Sequence, residues 1–182
     1  MFQTPIAFIL FNRPHETRIA FDVIRSIRPK DLFLIADAAR DGRELEREAV
    51  TMTREIVAHV DWPCDVRRIY ADSNMGCGKR IASGITAAFE EIDELIVLED
   101  DCVAHPTFFP YAKSLLKRYA DDPRVMAISG DCFHTQFQPS AAIYYFSKYP
   151  HCWGWATWNR AWSLFLSQIP DWRNIILSSD FE

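Results

Sequence analysis

Glu94-Leu95-Ile96-Val97-Leu98-Glu99-Asp100-Asp101 is the stretch on which the fold turns. Its four consecutive apolar residues predict a strand buried within a sheet. Three carboxylates then stand where that strand should emerge. Side chains alternate along a strand, so Glu99 and Asp101 share a face as long as the extended geometry persists. Clustered negative charge is costly unless water, a proton or a cation relieves it. A hard divalent cation, held by one or two carboxylates and completed by substrate phosphates, is one natural solution. The junction is therefore a candidate for chemistry on nucleoside diphosphates.

The segments upstream repeat the strand-then-polar-loop pattern. Ile6-Ala7-Phe8-Ile9-Leu10-Phe11 reads as a first buried strand, and Pro14 of Asn12-Arg13-Pro14 suits a first helical turn. Ile19, Val23, Ile24 and Ile27 recur at helical spacing until Pro29 ends the helix. Residues 32–36 predict a second strand, 37–42 a polar loop and 44–59 a charged amphipathic helix, interrupted by Trp62-Pro63. Residues 66–70 predict a third strand, 71–78 a loop, and 79–92 a helix leading into the acidic strand. This β-α-β-α-β-α-β order implies a three-layer α/β/α fold with a mainly parallel sheet. Ligands of such sheets bind beyond the carboxyl ends of the strands. Arg13, Asp37, Asn74, Lys79 and the acidic triplet all follow expected strand ends, so topology gathers them on one rim.

Past the triplet, Thr107 suits the cap of a helix reaching about Ala120. Residues 125–129 predict a strand, a loop runs to about 142, and 143–146 predict a further short strand. Trp155, Trp158 and Trp162 lie three and four apart, the spacing of one helix face, and core packing is their simplest role. No repeat, low-complexity stretch or linker divides the chain, so one domain over 1–182 is expected.

The 182 residues are enough for a sizeable core, and 49% hydrophobic with 14% aromatic content predicts a folded chain. A net charge of −5 at pH 7 argues against binding nucleic acid through overall charge, though not against a local basic pocket. Five scattered cysteines without a Cys-x-x-Cys pair read as reduced thiols of a cytoplasmic protein. The first apolar run is too short to span a membrane and lacks the basic flank of a signal peptide; peripheral association stays open. The histidines, among them His134 and His151, show no ligand spacing and receive no role.

Two nucleotide motifs fail. No Gly-x-Gly-x-x-Gly follows the first strand, which disfavours a dinucleotide-binding domain. Gly78-Lys79 has part of a P-loop, but Ser73 replaces its first glycine and Arg80 replaces the Ser or Thr that would hold magnesium. What remains is a nucleotide pocket built on an acidic triplet.

Here a resemblance becomes specific. Leu98-Glu99-Asp100-Asp101, Pro106-Thr107-Phe108-Phe109 with Tyr111, Asp122-Pro123, Ser129-Gly130-Asp131, and Pro150 followed by Trp153-Gly154-Trp155 form an ordered series. With Pro5-Ile6, Asn12-Arg13 and the 37–42 loop, it resembles GT-A fold glycosyltransferases of the N-acetylglucosaminyltransferase I type and their bacterial relatives. The likeness extends to about Trp162. It implies a metal-dependent enzyme that transfers a sugar, with inversion, from a nucleotide-diphospho-sugar, of UDP type, to a saccharide, lipid-linked or protein hydroxyl. It also implies roles. Asp101 should contact the metal, Mn²⁺ or Mg²⁺. Glu99 and Asp100 should hold the sugar nucleotide. Arg13, with Asp37 or Asp41, should contact the nucleoside, and Lys79 sits near a further donor contact. Asp131 and Trp153 are expected on the substrate, with 1–131 the donor-binding part and 132–182 the start of an acceptor-side part.

The base that deprotonates the acceptor is the open element. In the family it follows the Trp-Gly-Trp segment; here Asp171-Trp172 is the candidate, at a departing spacing, and the chain is expected to be truncated at its C-terminus. Plainer roles stand beside each assignment. The triplet can be a solvated turn, Arg13 a loop salt bridge, Asp37 and Asp41 turn or cap residues, and Lys79 a solvated lysine. Two other functions remain: a noncatalytic sugar-nucleotide-binding domain, and a sugar nucleotidyltransferase. The latter class normally has a Gly-rich basic loop after the first strand, which Asn12-Arg13-Pro14 lacks.

Overall fold

A computed structural model describes residues 1–132 and 144–168 of the chain. The elements run β1 (Ile6–Leu10), α1 (Pro14–Ile27), β2 (Asp31–Ala36), α2 (Glu44–Ile56), β3 (Asp65–Tyr70), α3 (Cys77–Ala88), β4 (Glu94–Glu99), α4 (Phe108–Arg118), β5 (Ala127–Ser129), β6 (Trp155–Trp158) and α5 (Asn159–Gln168). The strands form a six-stranded sheet in the order β3-β2-β1-β4-β6-β5. β1 pairs in parallel with β2 and with β4, and β2 with β3. β6 alone is antiparallel, between β4 and β5. The expected α/β/α architecture with a mainly parallel sheet is therefore present.

Alternation along the strands sorts the core into two layers. Ile6, Phe8 and Leu10 of β1, with Leu32, Leu34, Ile96 and Leu98, face a layer that includes Phe21 and Ile24 of α1 and Phe109, Ala112 and Leu116 of α4. Ala7 and Ile9, with Phe33, Ile35, Leu95 and Val97, face Ile85 and Ala88 of α3 and Trp162 of α5. Strands buried on both faces must be apolar at every position, which is why β1 and β4 read as unbroken hydrophobic runs. α3 packs close to the sheet at Gly84, where an added Cβ would lie 2.3 Å from Ile35 Cγ2.

Several local expectations are corrected. Glu99 ends β4, and Cys102 N donates to Glu99 O at 2.9 Å, so the chain turns at once and the extended geometry does not persist to Asp101. Thr107 precedes α4 without capping it: its hydroxyl lies 2.8 Å from His105 Nδ1. The tryptophans do not share a helix. Trp155 and Trp158 lie on β6 and Trp162 on α5; Trp155 packs toward Trp162, while Trp158 belongs to the opposite layer. Of the strand expected at 143–146, residues 144–146 form no regular element and Ile143 lies outside the described residues. No helix among the described residues is long and apolar enough to cross a membrane.

Candidate functional site

The sheet order places the site. From β1 the chain proceeds outward to β2 and β3, then crosses back so that β4 lies on the other side of β1. The loops after β1 and β4 lead to α1 and α4, which pack on one face of the sheet, and both leave from its carboxyl edge, where open parallel sheets take ligands. Arg13 stands after β1, and Glu99-Asp100-Asp101 after β4.

The two loops are bonded directly to each other. Asp100 is buried, 6% exposed, and accepts from Phe11 N at 3.1 Å and from Arg13 Nη1 at 3.4 Å. The same Arg13 nitrogen donates to Asp101, whose side chain stays 47% exposed. The paired carboxylates hold Arg13 firmly protonated, Asp101 chiefly and Asp100 next. Burial nevertheless pushes the Asp100 carboxyl up, outweighing the Phe11 N–H and Arg13. Burial, then the charges of Asp101 and Asp100, pushes Glu99 up as well. The triplet thus consists of one anchored acid, one half-buried acid short of compensating charge, and one exposed acid on an arginine.

Asp37, at the end of β2, builds the adjoining wall. It is 5% exposed and its carboxylate accepts from Ala38 N at 2.9 Å, Met75 N at 3.0 Å, Gly76 N at 2.9 Å and Asn74 Nδ2 at 3.2 Å. Asn74 also donates to Ala38 O at 2.7 Å. Gly76 is the residue before α3 and has φ of +78°, a backbone that only glycine adopts without strain. Arg54 donates to Asp37 O and Ala71 O at 3.0 and 3.2 Å and lies over the Tyr70 ring. Asp37 therefore fixes where α3 begins. Cys77, the first residue of α3, feels the charges of Glu99, Arg13, Asp37 and Asp100, so the helix start faces the triplet.

Beyond β4 the rim continues through β6 and β5. Ser129 and Trp155 are paired, and Gly130 N donates to Gly154 O at 2.8 Å. β5 runs parallel to β4 and β6 runs against it, so the end of one and the start of the other meet beside Glu99. This brings Asp131 and Trp153 to an open cleft of about 1470 Å³ that Asp101 also lines. Trp153 is 57% exposed there and stacks on His151 with ring centroids 6.5 Å apart.

The structure thus gathers Arg13, Asp37, Glu99, Asp100, Asp101, Asp131 and Trp153 along one rim. Lys79 is exposed in the first turn of α3, and Asp41 is exposed in the loop before α2, where the ordered pair is instead Arg40 with Glu46. Asp171 lies outside the described residues. Two residues without a sequence-based role also reach the rim. Arg80 is 6% exposed, held by Met75 Sδ at 3.8 Å and by the charge of Asp37, and its Nε has no hydrogen-bond partner. His151 faces Asp131. In the sequence Arg80 counts only against a P-loop, and no local signal points to His151.

Among the described residues, no three His, Cys, Asp or Glu side chains are grouped to cage a metal. The donors suit a different arrangement, in which one or two carboxylates share a cation with substrate phosphates. Asp101 is exposed enough to serve, and the uncompensated charge of Glu99 beside it would be relieved.

No family model matches the chain. No curated protein matches it. One solved structure to which it is similar is 4-diphosphocytidyl-2C-methyl-D-erythritol synthase from Anaerococcus prevotii, at 10% identity and a TM-score of 0.49, over 94% of this chain and 80% of that one.

Proposed function

We propose that the chain binds a nucleotide-diphospho-sugar, of UDP type, at the carboxyl ends of β1 and β4 together with Mn²⁺ or Mg²⁺, and transfers the sugar to a hydroxyl acceptor. The observation that carries this is the Arg13 bridge to Asp100 and Asp101 at the point where the strand order reverses. It sets a cation donor and an exposed carboxylate side by side where open parallel sheets take ligands.

When bound, the divalent cation would supply charge neutralisation for the departing diphosphate. Asp101 would hold it, with Glu99 adjacent. Arg13 would turn from Asp101 toward the phosphate oxygens, for which a guanidinium is well matched. The first turn of α3, with its N–H groups and Lys79, adds partial positive charge on the same side. Asp100 is spent on the backbone of Phe11 and keeps the β1 loop in register with β4. Asp131 and Trp153, which line the cleft that Asp101 borders, would meet the acceptor.

Calorimetric titration of UDP, with and without Mn²⁺, into wild type and Asp101→Ala tests this. Mn²⁺ is expected to tighten UDP binding at least tenfold in wild type and not in the variant. Equal, metal-independent binding in both overturns the metal role. A sugar nucleotidyltransferase is the second reading, favoured by the buried Arg80 beside Asp37, whose Nε has no hydrogen-bond partner. Release of pyrophosphate from UTP and a sugar 1-phosphate would select it.

A further inference from the structure

The Asp131 carboxylate lies buried at the cleft, its side chain 16% exposed, and neither oxygen has a hydrogen-bond partner. A buried acid without such partners is expensive and asks for an explanation. Its one ionic neighbour among the described residues is His151, whose Nδ1 stands 3.6 Å from Asp131 Oδ2, an ion-pair distance outside hydrogen-bond range. His151 N donates to Ser129 Oγ at 3.2 Å, Ser129 Oγ donates to His151 O at 3.0 Å, and Gly130 N donates to Gly154 O. These bonds lock the start of the β6 segment onto the end of β5, so the carboxylate and the imidazole are held together by sheet pairing. Trp153 stacks against the imidazole and fixes its plane. Both residues line the cleft that Asp101 borders. Among the described residues, the other titratable groups beside Asp131 include Tyr145, which feels its charge, and Cys132, which accepts from the Tyr145 hydroxyl at 3.8 Å.

We propose that His151 is the proton acceptor for the incoming hydroxyl and that Asp131 is the positioning residue behind it. The inference rests on the donor site proposed above. In the step, the acceptor oxygen forms a bond to the sugar's anomeric carbon as the bond from that carbon to the diphosphate oxygen breaks. The electron pair leaves with the nucleoside diphosphate, and the hydroxyl proton passes to His151 Nε2. Asp131, facing Nδ1, orients the ring and stabilises the imidazolium that forms. A carboxylate placed behind an imidazole serves this purpose wherever a hydroxyl must be activated near neutral pH. The proton that His151 takes would place a positive charge 3.6 Å from the buried Asp131 carboxylate.

The test uses the full chain, UDP-N-acetylglucosamine, UDP-glucose and UDP-galactose as donors, and water as acceptor, reading free sugar. With a donor that wild type hydrolyses in Mn²⁺, His151→Gly is expected to lower kcat on the order of 100-fold, leaving donor KM and UDP–Mn²⁺ affinity within about twofold. Added imidazole is expected to restore a large part of the lost rate in His151→Gly and none in Asp101→Ala. A merely structural histidine would not be rescued this way. Asp131→Asn should lower kcat about tenfold without lowering the melting temperature, because the amide removes a buried charge. Undiminished hydrolysis in His151→Gly, loss without imidazole rescue, or wild type that binds UDP with Mn²⁺ but hydrolyses none of the three donors overturns the proposal. Loss in Asp171→Asn with normal rates in His151→Gly would give the base to Asp171 instead. Failure of UDP to bind at all would remove the donor site itself, and calorimetry separates that outcome from the others.

Discussion

At the scale of single residues, the chain places acids where the sheet does not welcome charge. Glu94 opens β4 and is half-buried, with Thr4 Oγ1 donating to it at 3.4 Å. Burial pushes its carboxyl up, more than Thr4 and Lys113 pull it down. A folded-state pKa above the unfolded one means that the fold favours the neutral acid. The favourable contribution is complete below the unfolded value of about 4.3 and is lost as pH rises through the folded value. Glu94→Gln keeps the acceptor for Thr4 and stays neutral. It is therefore expected to melt higher than wild type at pH 7, by about 2 °C, with the gap closing as pH falls below about 4. Melting curves followed by circular dichroism from pH 3.5 to 7.5 check this; a gap independent of pH would contradict it. Arg13 gives the opposite case. Arg13→Ala leaves the buried Asp100 with only the Phe11 N–H, and about 1–3 kcal/mol of stability should be lost in denaturant titration. Asp101 loses its ion pair in the same variant, so Mn²⁺ alone, without nucleotide, should bind more tightly than to wild type.

At the scale of elements, residue patterns gave the parts more readily than their junctions. β1, β2 and β4 were legible because burial on both faces forces apolar runs, and α1 because Pro14 and Pro29 bracket an apolar stripe. β6 was hidden. Spacings of three and four among Trp155, Trp158 and Trp162 fit a helix face as well as they fit a strand followed by a helix, and only pairing with β4 decides between them. The part played by Asp37 was hidden for a related reason. A polar residue after a strand suggests a turn or a cap for the next helix, α2. Its partners are instead Asn74, Met75 and Gly76, nearly forty positions away, before α3. Asp37→Asn exchanges a doubly accepting carboxylate for a group with one acceptor among several backbone donors. It should cost about 2–3 kcal/mol and speed amide exchange selectively at Met75 and Gly76. The close seat of α3 has its own consequence. Gly84→Ala sets a methyl 2.3 Å from Ile35 Cγ2 and should cost about 1–3 kcal/mol, while the double variant with Ile35→Ala should cost less than the sum of its parts.

At the scale of the whole molecule, the Arg13 loop and the cleft beside β5 and β6 flank one strand. β4 pairs with β1 through Ile96, Val97, Leu98 and Glu99, and with β6 through Glu94 to Val97. The triplet therefore sits between Arg13 on one side and the Asp131–His151 pair on the other, an arrangement the sequence could not show because β6 reaches β4 from some sixty residues away. Arg160 fastens this second side. It donates to Ala120 O at 2.7 Å, Tyr119 O at 2.9 Å and Val125 O at 3.0 Å, and its guanidinium lies 4.5 Å from the Trp158 ring centroid. One side chain thus joins the end of α4 and the approach to β5 to the β6–α5 junction. Lysine keeps the charge but cannot span three carbonyls with a planar fork. Arg160→Lys is expected to lower stability by about 2–3 kcal/mol, through carbonyls left without a donor. Because β4 belongs to both sides, the loss should appear as one earlier transition, coincident by far-ultraviolet circular dichroism and tryptophan fluorescence. If the fluorescence transition came first, the β5–β6 side would unfold apart from the β1–β4 sheet, and the two rims would not form one cooperative unit.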